Sequence, residues 1–297
     1  MKVLVTGATG YIGSHVCKIL YEHGHTVTGW DNCFHGEEND VIAWCDGGLH
    51  HIDVTNSLEP ESFDAVVHLA GRSVVPDSMK DPAEYYRVNI QGTQNVLQNI
   101  STPHFIFAST SSAWEMASPY ARSKVAAEDV IKQFADGYTI FRFFNVSGSD
   151  GINRQLGKPT HLIRVMAKVA TGRQETLKIY GDDYDTRDGT CIRDYVHVVD
   201  LANAIVTAAE KGPLNTPYEC LGSNVGWSVY EVKDAMEKTI GKKIPFEVVG
   251  RRYGDAVASV VDELSERIQL TKSIEDMCQD QYNLERSLNY EGNYTNV

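Results

Sequence analysis

The sequence predicts an α/β protein built on a doubly wound parallel sheet with a smaller C-terminal α/β lobe. Three observations predict it. Short apolar runs alternate with helix-like segments through the first half, a glycine-rich turn joins the first run to the first helix, and the alternation weakens past about Asn145. Strands covered on both faces by crossover helices produce this pattern.

In order, residues 2–6 read as the first strand, and Ile12, Val16, Ile19 and Leu20 form the apolar stripe of a helix that ends near Gly24. Residues 26–30, 65–69, 105–108 and 138–144 read as further strands, and residues 121–135 as a helix. Beyond them, residues 181–190 (GDDYDTRDGT) are polar loop. Residues 196–211 have a strand-then-helix character, part of which is expected to return to the first sheet. Two domains are therefore expected, 1–146 and 147–297, without a clean sequential boundary.

Composition narrows the function. At 297 residues, 42% hydrophobic and 23% charged, the chain has the make-up of a globular protein with more than one core. A formal net charge of -13 repels polyphosphate at long range, so no nucleic acid is expected as partner. Any phosphate must be held by a few local arginines or backbone amides. Six scattered cysteines with no Cys-x-x-Cys predict free thiols, and there is no His-Glu-x-x-His, so no metal site is expected. His50 and His51 are adjacent and point to opposite faces of a strand. No apolar run approaches ~18 residues and the first residues lack a signal-peptide pattern, which predicts a cytoplasmic protein without a membrane partner.

The first strand runs into Gly7-Ala-Thr-Gly10-Tyr-Ile-Gly13 and then into the amphipathic helix. Such glycines allow a tight turn and a close approach to a pyrophosphate, and the helix N-terminus offers free N–H groups to it. A glycine-rich turn alone also serves ordinary strand-to-helix connections; here strand and helix flank it correctly. Asp31 follows by about 20 residues, where a carboxylate can accept from both adenosine ribose hydroxyls and repel a 2'-phosphate, favouring NAD over NADP. Asp53 has two readings, an adenine contact or a cap on the turn at 54–58.

Tyr120 and Lys124 stand four apart on the helix over 121–135 and so share a face. An ammonium beside a phenol favours phenolate, which makes a base out of a side chain whose ordinary pKa is ~10. Tyr-x-x-x-Lys is common by chance. Thr110, ten residues earlier at a strand end, supplies a hydroxyl that can relay a proton, although the run 109–112 is also a plausible strand-capping turn.

These residues resemble the extended short-chain dehydrogenase/reductases over nearly the whole chain. The shared markers are VTGATGYIGSH, HLAGRSVV, the run from Glu84 to Thr93 (EYYRVNIQGT) and PYARSK. More specific markers, RFFN at 142–145, THLI at 160–163 and the run from Ile179 to Ala202, are similar to those of the UDP-glucose 4-epimerases. The resemblance implies a Rossmann-type NAD domain with Gly7, Gly10, Tyr11, Ile12, Gly13, Asp31, Asn32, Asp53, Val54, Leu69, Ala70, Gly71, Asn89, Tyr120, Lys124 and Phe143 at the cofactor. It implies a UDP-sugar substrate held by Asn145, His161, Leu162, Lys178, Tyr180, Arg193, Arg252 and Asp255, with both arginines on the diphosphate and Asp255 on the uridine ribose. It also implies a mechanism: Tyr120, with Thr110 and Lys124, takes the proton of the sugar 4-hydroxyl while hydride passes from C4 to NAD. The keto sugar then turns over and is reduced on its other face, interconverting UDP-glucose and UDP-galactose. By the same resemblance, a homodimer pairs the helix after Asp81 and the one starting at Tyr120 with their counterparts.

The chain departs from the family pattern in four places. The stretch between Trp114 and Tyr120 is short, which predicts a more open sugar-side wall; Thr110 replaces a more usual serine; and Ser73 stands where relatives often carry lysine. Ser259 stands where some relatives carry a bulky tyrosine, leaving room for an N-acetyl group. Alternatives from the sequence are another NAD-dependent nucleotide-sugar oxidoreductase, a 4,6-dehydratase, or a weakly catalytic NAD-binding protein. The dehydratase reading lacks its carboxylates, since Ser111 and Ser112 follow Thr110.

Overall fold

The computed structural model describes residues 1–34, 40–157, 160–252 and 254–291. The chain opens with β1 (Lys2–Thr6), α1 (Tyr11–Glu22), β2 (Thr26–Asp31) and β3 (Leu49–His51), followed by the short β4 (Glu61–Ser62) and by β5 (Ala65–His68). Next come α2 (Val75–Ser78), α3 (Pro82–Tyr86), a π turn over Arg87–Gln91, α4 (Gly92–Asn99), β6 (Ile100–Ser101), β7 (Phe105–Thr110), α5 (Pro119–Phe134) and β8 (Tyr138–Phe143). The second half holds β9 (Asn145–Ser147), α6 (Leu162–Ala170), β10 (Leu177–Tyr180), β11 (Ile192–His197), α7 (Val198–Lys211), β12 (Glu219–Leu221) and β13 (Gly226–Ser228). It ends with α8 (Val229–Ile240), β14 (Phe246–Val249), β15 (Ala258–Ser259) and α9 (Ile274–Glu291).

Seven strands form the main sheet in the order β12-β8-β7-β5-β1-β2-β3, and every pair is parallel. The expected doubly wound Rossmann-type sheet is therefore present. The strand order reverses between β1 and β5, and in such sheets the crevice at that reversal is where a ligand finds two loops diverging. Alternation along β1 explains the two cores. Val3 and Val5 face α1 and α7 with Val16, Leu20, Leu201 and Ile205, whereas Leu4 faces α4 and α5 with Val96, Ala127 and Ile131.

The segment from 196 onward divides its loyalties. α7 lies beside α1 on the main sheet through Val198, Leu201, Ala202 and Ile205. The strand before it stays out of that sheet: β11 pairs with β9, β13 and β15. β12 then returns as the seventh strand, parallel to β8. A separate core joins α6, α8 and α9 with β10 through Ile163, Met166, Ile179, Val232, Met236 and Met277. α8 starts on a capping box between Ser228 and Glu231 and stops at Gly241 in the left-handed conformation, so the sequence marks both ends.

All six cysteines are free thiols. No helix among the described residues is long and apolar enough to cross a membrane.

Candidate active site

The glycine turn follows β1. Gly7 has φ +72, and a Cβ on it would meet the Ala70 amide nitrogen at 2.7 Å, so the turn packs directly on the segment leaving β5. Gly13 lies so near that a Cβ there would stand 2.1 Å from the Gly7 carbonyl oxygen. Gly10 is the N-cap of α1, and no side chain caps the helix. The first N–H groups of α1 are thus left for an anion, the arrangement that suits a pyrophosphate. At the end of β2 the Asp31 carboxylate is aimed by two amides, Thr9 N–H on Oδ2 (3.0 Å) and Cys33 N–H on Oδ1 (2.8 Å).

Asp53 caps its turn: Oδ1 accepts from the Thr55 amide (2.9 Å) and hydroxyl (2.7 Å), and Oδ2 accepts from Asn32 Nδ2 (2.9 Å). Burial alone raises this carboxyl, but the bonds from Thr55 and Asn32 and the charge of Arg87 outweigh it and hold it below the usual range. Val54 is buried beneath that turn, while Ile12, Leu69 and Ala70 are partly buried against the sheet. Tyr11 donates to the Gly148 carbonyl (2.6 Å), which ties the glycine turn to the start of the second lobe. Ser73 is exposed.

Tyr120 sits in the first turn of α5, which Ser118 caps through the Ala121 amide and which Pro119 begins. Burial raises the phenol, and a hydrogen bond with Thr110 opposes it. Thr110 Oγ1 accepts from the Ser112 amide (3.2 Å), so its own hydrogen is left for the phenol oxygen. One turn on, Lys124 is 5% exposed, with Nζ 4.7 Å from the centre of the Phe107 ring. Burial pulls its ammonium down to about 8, and the Glu128 carboxylate opposes that pull. Gly71 leaves the space that makes this possible, since a Cβ there would meet Asn89 Oδ1 at 2.8 Å and Lys124 Nζ at 3.2 Å.

Two polar networks hold these groups. Asn89, in the π turn, donates from Nδ2 to the Arg72 carbonyl (3.0 Å) and to Ser123 Oγ (2.9 Å), and Ser123 donates to the Tyr120 carbonyl (2.7 Å). Both amide hydrogens of Asn89 are therefore committed, and Oδ1, which accepts from Arg72 N–H (2.8 Å), keeps one lone pair. Thr93 donates to the Asn89 carbonyl (2.7 Å) and accepts from His68 Nε2 (3.0 Å), so His68 Nδ1 accepts from Thr6 Oγ1 (2.7 Å). Burial, then the charge of Lys124, push His68 down to about 3 and keep it neutral. Under α5, Arg142 forks onto Glu128 (2.9 and 2.8 Å), and Ser109 donates to the same carboxylate (2.5 Å). Sequence spacing gives no sign of this pair, because it crosses from strand to helix.

The short stretch after Thr110 folds back. Trp114 packs on Phe144 and donates from Nε1 to Tyr218 OH (3.3 Å), while the Arg142 guanidinium lies over Tyr218. Phe143 ends β8, stacked on Phe141 in the core shared with α1.

In the second lobe Asn145 donates to the Asp194 carbonyl (3.0 Å), and His161 bonds through Nδ1 to the Val146 carbonyl (2.9 Å), leaving Nε2 as acceptor. Leu162 begins α6 against the second core. Arg193 reaches the turn that holds Arg252 and Asp255, where the Asp255 amide donates to the Arg252 carbonyl (3.4 Å) and Arg193 donates to the next carbonyl, that of Ala256 (2.8 Å); burial raises the adjacent Cys191 thiol, and Arg193 opposes it. Arg193 donates to the Ile192 and Ala256 carbonyls (2.8 Å each), and Arg252 lies 3.6 Å over the Tyr180 ring. Among the described residues neither guanidinium has a carboxylate partner, whereas Lys178 is paired with Glu247 at the surface (3.4 Å). In register, Ser259 stands beside Arg193. Tyr184, within the polar run 181–190, is buried, its hydroxyl has no hydrogen-bond partner among the described residues, and it lies within the field of Asp255, Cys191 and Arg193.

Known proteins resemble the whole chain. The chain is 34% identical to the UDP-glucose 4-epimerase of Mus musculus, over 86% of this chain and 87% of that one. It is 34% identical to that of Halalkalibacterium halodurans, over 91% and 89%. Among solved structures, UDP-glucose 4-epimerase from Bifidobacterium longum in complex with NAD+ and UDP superposes with a TM-score of 0.86 at 29% identity, over 98% of this chain and 100% of that one. The UDP-Glc/GlcNAc 4-epimerase of Campylobacter jejuni superposes with a TM-score of 0.76 at 31% identity, over 96% and 99%. Residues 3–220 match the NAD dependent epimerase/dehydratase family, and the chain belongs to that family.

Proposed function

We propose that the protein is an NAD-dependent UDP-glucose 4-epimerase, interconverting UDP-glucose and UDP-galactose. The observation that carries the reading is the buried Tyr120 phenol, whose upward shift the nearby Thr110 hydroxyl opposes, one helical turn from a buried ammonium, Lys124. NAD, with its pyrophosphate at the open N-terminus of α1 and its adenosine ribose at Asp31, supplies a reversible hydride acceptor. Tyr120 holds and releases the proton of the sugar 4-oxygen. Thr110 relays it, and Lys124 stabilises the phenolate. Arg193 and Arg252, without carboxylate partners among the described residues, suit a diphosphate in an otherwise acidic protein, and Asp255 suits the uridine ribose. In this reading Asn145, His161, Leu162 and Tyr180, whose ring lies under Arg252, complete the substrate site. A firmly held UDP leaves the sugar free to present either face.

The reading is tested by incubating the purified protein with UDP-galactose and following sugar identity by NMR alongside NADH absorbance. UDP-glucose without net NADH supports the epimerase; stoichiometric NADH replaces it with a dehydrogenase. Ser259 beside Arg193 favours a second reading in which N-acetylhexosamine nucleotides are also accepted. Ser259→Tyr is expected to depress turnover of UDP-N-acetylglucosamine by about 10-fold or more relative to UDP-glucose, a ratio within the reach of steric exclusion; an unchanged ratio removes that reading. A cytoplasmic homodimer completes the proposal. It is supported by Val75, Met79 and Tyr86, exposed apolar side chains on or just after α2 and α3, which pack on α5. Sedimentation velocity reads the assembly, and a monomer at micromolar concentration counts against it.

A further inference from the structure

At the end of α1 away from the glycine turn, three ligand-type side chains meet. His23 Nδ1 lies 2.9 Å, and His25 Nε2 3.0 Å, from the same oxygen of Glu210, and the three atoms lie within 4.8 Å of one another. The sequence gives no metal spacing here because the carboxylate comes from the last turn of α7, brought in by packing against α1.

The backbone that carries the ligands is fixed before anything binds. His23 N–H donates to the Ile19 carbonyl (3.0 Å), Gly24 N–H to Tyr21 (2.9 Å) and His25 N–H to Leu20 (3.0 Å), closing the C-terminus of α1. Glu210 lies in a helix whose neighbours Ala208 and Ala209 are buried in the shared core. As an ion pair, the cluster needs both imidazoles to carry hydrogen toward one oxygen. A cation uses the same three atoms as lone-pair donors, drawn in around it to bond lengths of about 2.0–2.2 Å. Two imidazole nitrogens and one carboxylate form a donor set for zinc and its first-row neighbours and not for magnesium or calcium, which take oxygen. His23 is 46% and Glu210 36% exposed, against 13% for His25, so one side of the site stays open to a fourth, water ligand.

We propose that His23, His25 and Glu210 form a binding site for zinc or a similar divalent transition-metal cation, which clamps the end of α1 to the end of α7. The site lies one helix length, about 18 Å, from the glycine turn, and is independent of the epimerase reading.

The test is calorimetric titration of ZnCl2, and separately MgCl2, into the full chain carrying no histidine tag. One equivalent of zinc and no magnesium is expected to bind. His23→Ala and Glu210→Gln, both at exposed side chains, are expected to weaken zinc about 10-fold or more. Zinc at 100 times its Kd is expected to raise Tm by roughly 4–6 °C in the parent chain but not in His23→Ala. Copper(II) EPR of the parent chain supplies a reading independent of variant folding, with coupling to two imidazole nitrogens expected. No zinc bound at 1 mM, binding undiminished in both variants, or a copper spectrum without imidazole nitrogens overturns the proposal.

Discussion

Lys124 keeps a charge where burial disfavours charge, with its ammonium drawn down to about 8. Tyr120 is pushed the opposite way by the same burial, and the Thr110 hydroxyl opposes that push. Removing the ammonium leaves phenolate still less favourable. Lys124→Met is therefore expected to shift the acidic limb of the kcat/KM profile up by about one pH unit or more and to lower kcat by about 10²–10⁴-fold; a limb that stays in place refutes the assignment. Thr110→Ser is expected to retain activity and Thr110→Val to lose about 10²-fold, because only the hydroxyl relays the proton. At this scale the sequence was informative where chemistry follows local spacing: Tyr120 and Lys124 share a helix face, and Asp31 ends a strand. It was silent where partners meet through folding, as with Glu128 and Arg142 or the buried Tyr184 hydroxyl. Asp53 shows the intermediate case, since spacing allowed two readings and the hydrogen bonds display the turn cap.

Among the elements, α1 was legible because its apolar stripe runs to a stop near Gly24, α5 because residues 121–135 read as a helix, and β12 was not, because three residues carry too little periodicity to announce a strand. The glycine turn makes a strict demand on its element. Gly13→Ala forces a methyl onto the Gly7 carbonyl, so NAD affinity measured by fluorescence quenching is expected to fall about 100-fold or more with the far-UV spectrum retained, in line with a displaced phosphate loop. Beneath α5, Arg142→Leu leaves the Glu128 carboxylate buried without its fork. Glu128 then keeps the Ser109 hydroxyl and Lys132 (3.5 Å), so the loss is expected to stay at or below the about 3–5 kcal/mol of a fully unpaired buried charge, read as a drop in the urea midpoint.

For the whole molecule, two buried neutral histidines set an acid limit. Burial holds His68 at about 3, helped by Lys124, and His104 at about 4, helped by Arg267, both below the ordinary 6.5. Between those values and 6.5 the unfolded chain binds more protons than the folded one, so stability is lost as pH falls through that window. Each histidine contributes a slope of up to about 1.4 kcal/mol per pH unit. His104→Gln is expected to flatten the loss measured by denaturant titration between pH 6.5 and 4; an unaltered slope contradicts the role. The seven-stranded sheet also has a consequence for the chain as it is made. Its last strand, β12, comes from residues 219–221, so β8 is an open edge when the ribosome has finished everything before it. At roughly 5–20 residues per second that edge stays unpaired for on the order of ten seconds. A nascent chain or a truncation ending near residue 150 thus carries an exposed strand ready to recruit another copy, and release of a premature fragment is an aggregation hazard written into the topology.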